Sequence, residues 1–253
     1  RTVMTFAGPP GAVAEAAFQA IKKAAEVIQM IHHKGTHPRI GATDVCPMVP
    51  LQHMTMEETV KLSVSLAKRV GEALQIPVYL YEYSASAVHR KNLAAIRKGE
   101  FEGLEQKMAL PEWEPDFGPK QHHPTAGATV IGARDFLLAY NLNLPKTATV
   151  EDAWKIAVEI RESGKFGIDE TGKKHRIPGR CKGVKAIGWY IPEYGRPQVS
   201  MNLVNLNQTE PRSVIIQGGG YGEHEIVSAQ IGDMTLDVNG PWCTVLLKPG
   251  CGG

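Results

Sequence analysis

The composition is that of an ordinary soluble globular protein and excludes several functional classes. The chain has 253 residues, of which 43% are hydrophobic and 21% charged, and its formal net charge is +2. So small a charge gives no reason to expect nucleic acid or a membrane surface as a partner. No run approaches the roughly 20 apolar residues that a membrane-spanning helix needs. The four cysteines lie far apart and form no C-x-x-C pair, which favours a reducing, cytoplasmic location over a disulfide framework.

The first hundred residues predict two long helices with strands around them. Residues 2–7 read as a short strand that ends at the turn signal G-P-P-G. Apolar residues at helical spacing predict a helix over 13–32, which Gly35 stops. A second helix, over 55–75, begins with a capping box in which Thr55 and Glu58 satisfy exposed backbone donors. We expect an extended segment over 41–51, a strand over 77–83 and a short helix over 91–98.

A long proline-rich loop follows at residues 108–127. It contains four prolines together with Trp113, Phe117, His122 and His123. Proline removes backbone donors, so a regular element is not expected here. Loops of this length are usually functional or disordered, and the aromatic residues argue against disorder. We therefore treat this loop as a candidate part of a site.

The second half repeats the same rhythm of strands and an amphipathic helix. We expect a strand over 135–144, a helix capped by Thr149 over 149–163, and a basic connection over 165–182. Residues 184–191 and 198–206 then predict a hairpin, and the last forty residues contain short strands, one of them at 213–217, but no helix. The pattern predicts an α+β protein of two units, each a sheet with helices on one face, with the boundary near Phe136.

The titratable residues concentrate in residues 31–50, between the first long helix and the extended segment. His33 and His37 have the i, i+4 spacing of zinc ligands, but Gly35 and Pro38 interrupt the helix that this spacing requires. His37 is a candidate general base, because imidazole titrates near neutral pH. Alternatively, these histidines are surface groups at a helix end, where positive charge favours the dipole. The sequence pattern by itself leaves the last two interpretations open.

Two further motifs are interpreted as structural. Cys46 lies in an apolar segment beside Pro47, so we expect a buried core cysteine rather than a nucleophile. The G-G-G-Y-G run at residues 218–222 lacks the spacing of a phosphate-binding loop and no helix follows it, so we expect a turn. No serine has the G-x-S-x-G context of a hydrolase.

Several motifs follow one another in order along the chain. The main one is H-K-G-T-H-P-R-I-G-A-T-D-V-C-P-M-V-P at residues 33–50. Others are R-T-V-M-T-F-A-G-P-P at 1–10, P-V-Y-L-Y at 77–81, E-W-E-P-D-F-G-P at 112–119, H-P-T-A-G-A-T-V-I-G-A-R at 123–134, A-I-G-W-Y at 186–190 and V-S-M-N-L at 199–203. Together they resemble the glutamate formimidoyltransferase family, the transferase half of the bifunctional formiminotransferase-cyclodeaminases of histidine breakdown. This similarity covers residues 1 to about 209.

The resemblance implies a fold and a domain division. It implies two ferredoxin-like α/β sandwich subdomains, an N-terminal one at 1–136 and an incomplete C-terminal one at 137–209, followed by an atypical β-rich tail at 210–253. The family's opening strand, which would precede Arg1, is expected to be missing.

It also implies an activity and a site. The activity is transfer of a formimino group between N-formimino-L-glutamate and tetrahydrofolate, with His37 as the catalytic acid/base. Lys34, Arg39 and Arg134 are candidates to hold substrate carboxylates, and Trp113 and Phe117 to wall the pterin. The segment that corresponds to the family's folate-contacting loop comprises Gly118, Pro119, Lys120, Gln121, His122, His123, Pro124, Thr125, Ala126 and Gly127.

Alternatives and partners complete the expectations. The chain could instead be an inactive folate-binding remnant, or a related one-carbon transferase that uses glycine or a formyl group. Tetrahydrofolate is expected as co-substrate and no metal is expected. We expect small-molecule substrates, a homodimer and a cytoplasmic location, with no nucleic acid or membrane partner.

Overall fold

A parallel sheet and an antiparallel sheet organise two separate units, residues Arg1–Arg134 and Asp135–Gly253. The computed structural model describes residues 2–35, 37–192, 194–205 and 208–209, and the backbone alone of Tyr140 and of residues 228–231 and 234–237. Each unit is described by itself.

The first unit contains a three-stranded parallel sheet in the order β1-β3-β2. The strands are β1 (Val45–Met48), β2 (Val78–Leu80) and β3 (Thr129–Ala133), and the helices are α1 (Pro10–Val27), α2 (Met56–Leu74), α3 (Leu93–Arg97) and α4 (Leu104–Met108). Every residue of the central strand β3 is buried, which is the usual state of a parallel strand covered on both faces.

Alternate strand residues supply two cores, one on each face of this sheet. Val78, Leu80 and Ile131 pack with residues of α1 and α2. Tyr79 and Val130, which point to the opposite face, pack with residues of α3 and α4. The side-chain period of two in a strand accounts for this division. Helices therefore cover both faces of the first sheet, not one face as the sequence pattern predicts. The loops that enter β1 and β3 lie at one edge of this sheet.

The described residues of the second unit form an antiparallel sheet in the order β10-β9-β4-β8-β7, with a helix packed against it. Its strands are β4 (Leu138–Asn143), β7 (Val184–Ile191), β8 (Arg196–Leu203), β9 (Ser228–Ile231) and β10 (Met234–Asp237), and its helix is α5 (Val150–Ile160). A hairpin of β5 (Lys165–Ile168) and β6 (Lys174–Ile177) forms a separate two-stranded sheet. A Cβ atom at Gly188 would lie 2.1 Å from the backbone nitrogen of Trp154, so α5 packs directly on the backbone of β7.

The helix predictions with a capping signal are confirmed. Thr55 and Glu58 form both hydrogen bonds of a capping box at the start of α2. Thr149 caps α5, where Asp152 completes a second capping box. The predicted hairpin is also confirmed, as β7 and β8, and the mixed helix and strand content confirms the α+β class. No helix in the described part of the chain is both long and apolar enough to cross a bilayer.

Several local predictions are wrong. Residues 2–7 form no strand, and the side chains of Val3 and Met4 are exposed. The strand β3 was not predicted as a separate element, and the basic connection at 165–182 contains the β5–β6 hairpin. The predicted strand at 213–217 and the predicted turn at 218–222 lie outside the described residues. The chain divides into its two units between Arg134 and Asp135.

Candidate functional site

The loop that carries His37 connects α1 to β1. It begins after Val27, includes a short 3-10 helix at Met30–His32 and reaches the sheet at Val45. His32 and His33 are exposed, as expected for groups at a helix end, whereas His37 is half-buried. Because β1 is the strand that follows, the loop lies at the edge of the sheet where the parallel strands begin.

Backbone hydrogen bonds join this loop to residues 123–128. The amide of Met30 donates to the carbonyl of Thr125 at 2.8 Å, and Ala42 donates to Ala126 at 2.9 Å. In the opposite direction the amide of Ala128 donates to Ile40 at 3.0 Å. These bonds follow from the register of β1 with β3, since each segment leads directly into one of the two paired strands.

Two glycines permit this close approach. A Cβ atom at Gly41 would lie 2.1 Å from the carbonyl oxygen of Ala128. Gly127 has a φ of +70°, and a Cβ atom there would lie 2.2 Å from the carbonyl oxygen of Ile40. The first position therefore requires glycine for space, and the second for both space and conformation.

His123 closes the turn at the end of the candidate folate loop. Its Nδ1 accepts hydrogen bonds from the amides of Thr125 at 3.3 Å and Ala126 at 3.0 Å. The backbone of His123 also exchanges two hydrogen bonds with Gly127, at 3.1 and 2.8 Å. An Nδ1 that accepts from amides leaves the proton on Nε2, so this geometry assigns the tautomer and leaves Nε2 as a donor.

The guanidinium of Arg39 is enclosed by two carboxylates. Glu102 bonds it in a two-point contact at 2.6 and 2.8 Å, and Glu100 bonds Nη1 at 2.7 Å. Nη2 also donates to the carbonyl of His33 at 3.0 Å. The hydrogen bond from Arg39 lowers the pKa of Glu102 to about 2. We name Arg39, Glu100 and Glu102 the arginine clamp.

A second ion pair ties the same loop to α3. Arg97 at the end of α3 bonds the carboxylate of Asp44, and the Oδ1 of Asp44 accepts the amide of Ile40 at 3.1 Å. Lys34, Gly35, Gly99 and the arginine clamp line an open cleft of about 470 Å³ beside the loop. The loop is thus attached to residues 97–102 at two points, of which the arginine clamp lines the cleft.

The first half of the proline-rich loop is fixed by a buried ion pair. The carboxylate of Asp116 accepts from Arg90 at 3.0 Å and from the amide of Leu80 at 2.8 Å. Arg90 donates further to the carbonyls of Glu112 and Glu114 at 2.8 and 2.6 Å. Hydrogen bonds therefore hold the loop to the end of β2, and its first half contains a short 3-10 helix at Pro111–Trp113, where no regular element was predicted.

The two aromatic residues of this loop contribute to packing. Phe117 packs against the core formed with α1 and α2. Trp113 packs against the opposite core, and the ammonium of Lys107 lies 3.8 Å from its ring centroid. Neither arrangement favours the expectation that these rings wall a pterin, because part of each ring already packs against protein.

The remaining residues of the candidate folate loop differ in exposure. Lys120 is exposed and pairs with Glu114 at 2.6 Å. Gln121 and Pro124 are exposed, and His122 is half-buried with its ring 6.2 Å from that of Phe101. Gly118 has a φ of +85°, and a Cβ atom there would meet the carbonyl oxygen of Ile76 at 2.4 Å.

Arg134 is not brought to this part of the first unit. It follows the last residue of β3, and its amide donates to Met48 at the end of β1. The His37 loop and residues 123–127 precede these strands. A strand of five residues rises roughly 16 Å, so Arg134 lies at the opposite edge of the sheet. Its side chain instead hydrogen-bonds the buried Tyr81 hydroxyl, whose pKa is raised by burial.

Cys46 fits the core assignment. It lies in β1, packs against the core formed with α1 and α2, and burial raises the pKa of its thiol to about 11. In the described residues no group of three or more His, Cys, Asp or Glu side chains is arranged to hold a metal ion.

Sequence reasoning missed Glu100 and Glu102. The signal was present as G-E-F-E-G at residues 99–103, two carboxylates in a glycine-bounded turn. Nothing in that motif indicated that its carboxylates would pair with the side chain of Arg39.

Comparisons with known proteins agree with the motifs. A family model described as the formiminotransferase domain, N-terminal subdomain, matches residues 1–134, and one described as the formiminotransferase domain matches residues 139–238. The second match continues past Thr209, where the motifs of the sequence analysis end. Strand β9, which pairs with β4, lies in this added stretch.

Individual relatives cover most of the chain. It is 42% identical to a glutamate formimidoyltransferase of Streptococcus pyogenes over an alignment of 236 residues, which covers 92% of this chain and 74% of that protein. It is 44% identical over 211 residues to a glutamate formimidoyltransferase of Thermoplasma acidophilum, covering 83% and 64%. A formimidoyltransferase-cyclodeaminase of Dictyostelium discoideum is 46% identical over 214 residues, covering 85% and 38%. The chain therefore spans less than half the length of the bifunctional relatives that it matches.

Proposed function

The chain belongs to the formiminotransferase family, and on that premise we propose that it transfers a formimino group between N-formimino-L-glutamate and tetrahydrofolate. The observation that supports this most directly is the backbone pairing of the His37 loop with residues 123–128. Two segments that resemble the family's catalytic and folate-contacting motifs are thereby neighbours in the first unit.

His37 is the general acid and base of this proposal. Its imidazole takes the proton from the folate nitrogen as that nitrogen adds to the formimino carbon, and it gives a proton to the departing nitrogen of glutamate. The bond from the formimino carbon to the folate nitrogen forms and its bond to the glutamate nitrogen breaks. His37 takes one proton and gives one, so the two steps together release no net proton. A half-buried imidazole suits this role, because it reaches substrate while it is partly screened from water.

Folate recognition is proposed for residues 118–127, mainly through backbone groups. This loop offers an ordered main chain, and the Nε2 of His123 offers a donor whose tautomer is set by the turn. These groups suit a ligand with carbonyl and ring-nitrogen acceptors. Holding two reactants in one orientation supplies a large part of the acceleration in such transfers.

The assignment of carboxylate binding to Lys34, Arg39 and Arg134 remains a prediction. Lys34 is exposed and lines the cleft. Arg39 contacts Glu100 and Glu102, and Arg134 contacts Tyr81. These contacts within the protein argue against a role of either arginine in carboxylate binding.

Finer structural and biological features belong to the same proposal. We propose that both units are variants of the ferredoxin-like α/β sandwich, that the protein is a homodimer and that it acts in the cytoplasm without a metal. The layer of α1 and α2 on one face of the first sheet and of α5 on the second sheet supports the fold assignment, whereas α3 and α4 on the opposite face of the first sheet depart from it.

The test compares His37→Ala with His32→Ala in a transfer assay with formiminoglutamate and tetrahydrofolate. General acid–base catalysis contributes about 10²- to 10⁴-fold, so we expect a loss of kcat of at least about 100-fold for His37→Ala. His32 is exposed at the helix end, so His32→Ala should retain wild-type turnover. Near-normal turnover of His37→Ala would refute the assignment.

Calorimetry with tetrahydrofolate on the unmodified protein separates the alternatives. Binding without transfer to any acceptor identifies an inactive folate-binding remnant. Transfer with glycine or from a formyl donor, but not with formiminoglutamate, identifies a related one-carbon transferase.

A further inference from the structure

We propose that Arg39 is a positioning residue, which together with Glu100 and Glu102 fixes the backbone of the loop that carries His37. This inference rests on the proposed function, because it concerns how that histidine is held. A positioning role competes with the substrate-binding role predicted for Arg39, and the experiment below distinguishes the two.

The donors of Arg39 are already used within the protein. Its Nη1 bonds Glu100 and Glu102, and its Nη2 bonds Glu102 and the carbonyl of His33. The side chain is buried, with 8% of the residue exposed, and its Nε is buried without a hydrogen-bond partner in the structure. A guanidinium has five N–H groups in a fixed planar fork. All four terminal N–H groups therefore have acceptors, and two carboxylates cover the positive charge.

The same guanidinium connects residues on the two sides of His37. Arg39 lies two residues after His37, and its Nη2 donates to the carbonyl of His33, which precedes His37. Glu102 and Glu100 attach this guanidinium to a different segment of the chain. A shift of the guanidinium would consequently move the backbone on both sides of the imidazole.

The segment that supplies the carboxylates is held in an unfavourable conformation. Glu100 has a φ of +55° and follows Gly99 with a φ of +93°. Side chains other than glycine rarely adopt this left-handed conformation, because Cβ approaches the neighbouring carbonyl. Such conformations persist where the surrounding structure over-determines them, and they are found at functional sites. Here the conformation coincides with an Nη1–carboxylate distance of 2.7 Å.

The turn at residues 99–103 is held in place by further hydrogen bonds. The amide of Gly103 donates to the carbonyl of Gly99 at 2.8 Å, which closes the turn. Lys107 donates to the carbonyls of Ala95 and Ile96 at 2.7 and 2.5 Å, and so holds the end of α3. Arg97 on the same helix forms an ion pair with Asp44 of the loop. The loop is thereby attached to residues 97–102 on both sides of Gly41, through Arg39 and through Asp44.

The experiment is Glu102→Gln, which keeps the shape of the side chain and removes its charge. If Arg39 positions the loop, kcat falls about tenfold or more while KM stays within about twofold, because misplacement of a reacting group by 1 Å costs up to about 10² in rate. If Arg39 instead binds a substrate carboxylate, removal of the competing glutamate lowers KM and leaves kcat unchanged. The two roles therefore predict opposite results, and the second result overturns the proposal.

Hydrogen exchange identifies the route of the effect. In Glu102→Gln we expect faster exchange of the amides in a peptide that covers residues 33–41, with no change in peptides of α2. A loss of kcat without faster exchange there also overturns the proposal, since the effect would not pass through the loop. The matched control is Glu105→Gln, an exposed carboxylate on the neighbouring helix α4, which should match wild type in kcat, KM and exchange.

The design separates this inference from the function on which it rests. If the unmodified protein transfers no formimino group, the proposed function fails. The exchange rates of residues 33–41 then still decide whether the arginine clamp holds the loop.

Discussion

Replacement of Gly41 by alanine should separate the two halves of the candidate site. Gly41 forms an antiparallel bridge with Gly127, between the His37 loop and the end of residues 118–127. Its added Cβ atom would lie 2.1 Å from the carbonyl oxygen of Ala128 and 2.6 Å from that of Ala126. Real Cβ atoms essentially never approach within 3.0 Å of such an atom. Because both obstacles are backbone atoms, no side-chain rotation can relieve the clash.

The size of the effect follows from the hydrogen bonds at this bridge. The segments must move apart by about 1 Å, beyond hydrogen-bond distance. The bonds from Ala42 to Ala126 and from Ala128 to Ile40 are now 2.9 and 3.0 Å long. A buried backbone group without a partner costs about 1–3 kcal/mol, so two lost bonds correspond to roughly 2–6 kcal/mol. That is a large part of the ~5–15 kcal/mol that stabilises a typical domain.

Denaturant unfolding and the transfer assay measure the two consequences. Gly41→Ala should lower the unfolding midpoint of the first unit and reduce turnover. The matched control is Gly11→Ala, because Gly11 lies in α1 with nothing within 4 Å of an added Cβ atom. There alanine should be neutral or stabilise by up to about 1 kcal/mol. A Gly41→Ala variant with the wild-type midpoint and turnover would refute the steric reasoning.

Three further predictions concern single side chains. His123→Asn keeps an acceptor for the amides of the turn but loses the Nε2 donor proposed for folate, so calorimetry should find tetrahydrofolate affinity about fivefold weaker than wild type. His123→Ala loses both groups and should bind more weakly still; equal losses in the two variants would contradict the role of Nδ1 in the turn. Burial raises the pKa of the Cys46 thiol to about 11, so in the native protein at about pH 8 this thiol should resist alkylation that succeeds after denaturation. Mass spectrometry measures the labelling, and rapid labelling of the native protein would count against burial of the thiol. Arg39 lowers the pKa of Glu102 to about 2 from its ordinary 4.5, so the contribution of this ion pair to stability is complete above pH 4.5 and is lost as the pH falls towards 2. The unfolding midpoint of Glu102→Gln should therefore depend less on pH than that of the wild type between pH 4.5 and 2. Parallel curves for the two proteins would contradict this pKa.

Local signals were sufficient for the elements that carry their own start and stop. The capping residues Thr55 and Thr149 correctly predicted the beginnings of α2 and α5, because the cap bonds involve only neighbouring residues. The β7–β8 hairpin was predicted from two apolar runs joined by proline and glycine, which is also a local arrangement.

The errors occur where a partner decides the structure. Residues 2–7 have strand-forming side chains, yet they form no strand in the described structure. Strand β3 was missed because it is buried on both faces. Such a strand lacks the alternation of polar and apolar residues by which sheets are recognised. Its small residues Gly132 and Ala133 gave no propensity signal in its place.

The amino-acid sequence by itself determined the capped helices, the hairpin, the α+β class and, through its motifs, the family. It also identified His37 and residues 118–127 as separate candidate segments. Only the tertiary structure decided that these segments pair, because the pairing depends on the parallel register of β1 with β3. The same register puts Arg134 at the opposite edge of the sheet, and the turn at residues 99–103 delivers two carboxylates to Arg39. Both results depend on contacts between residues distant in the chain, and the spacing of residues within a motif carries no information about such contacts.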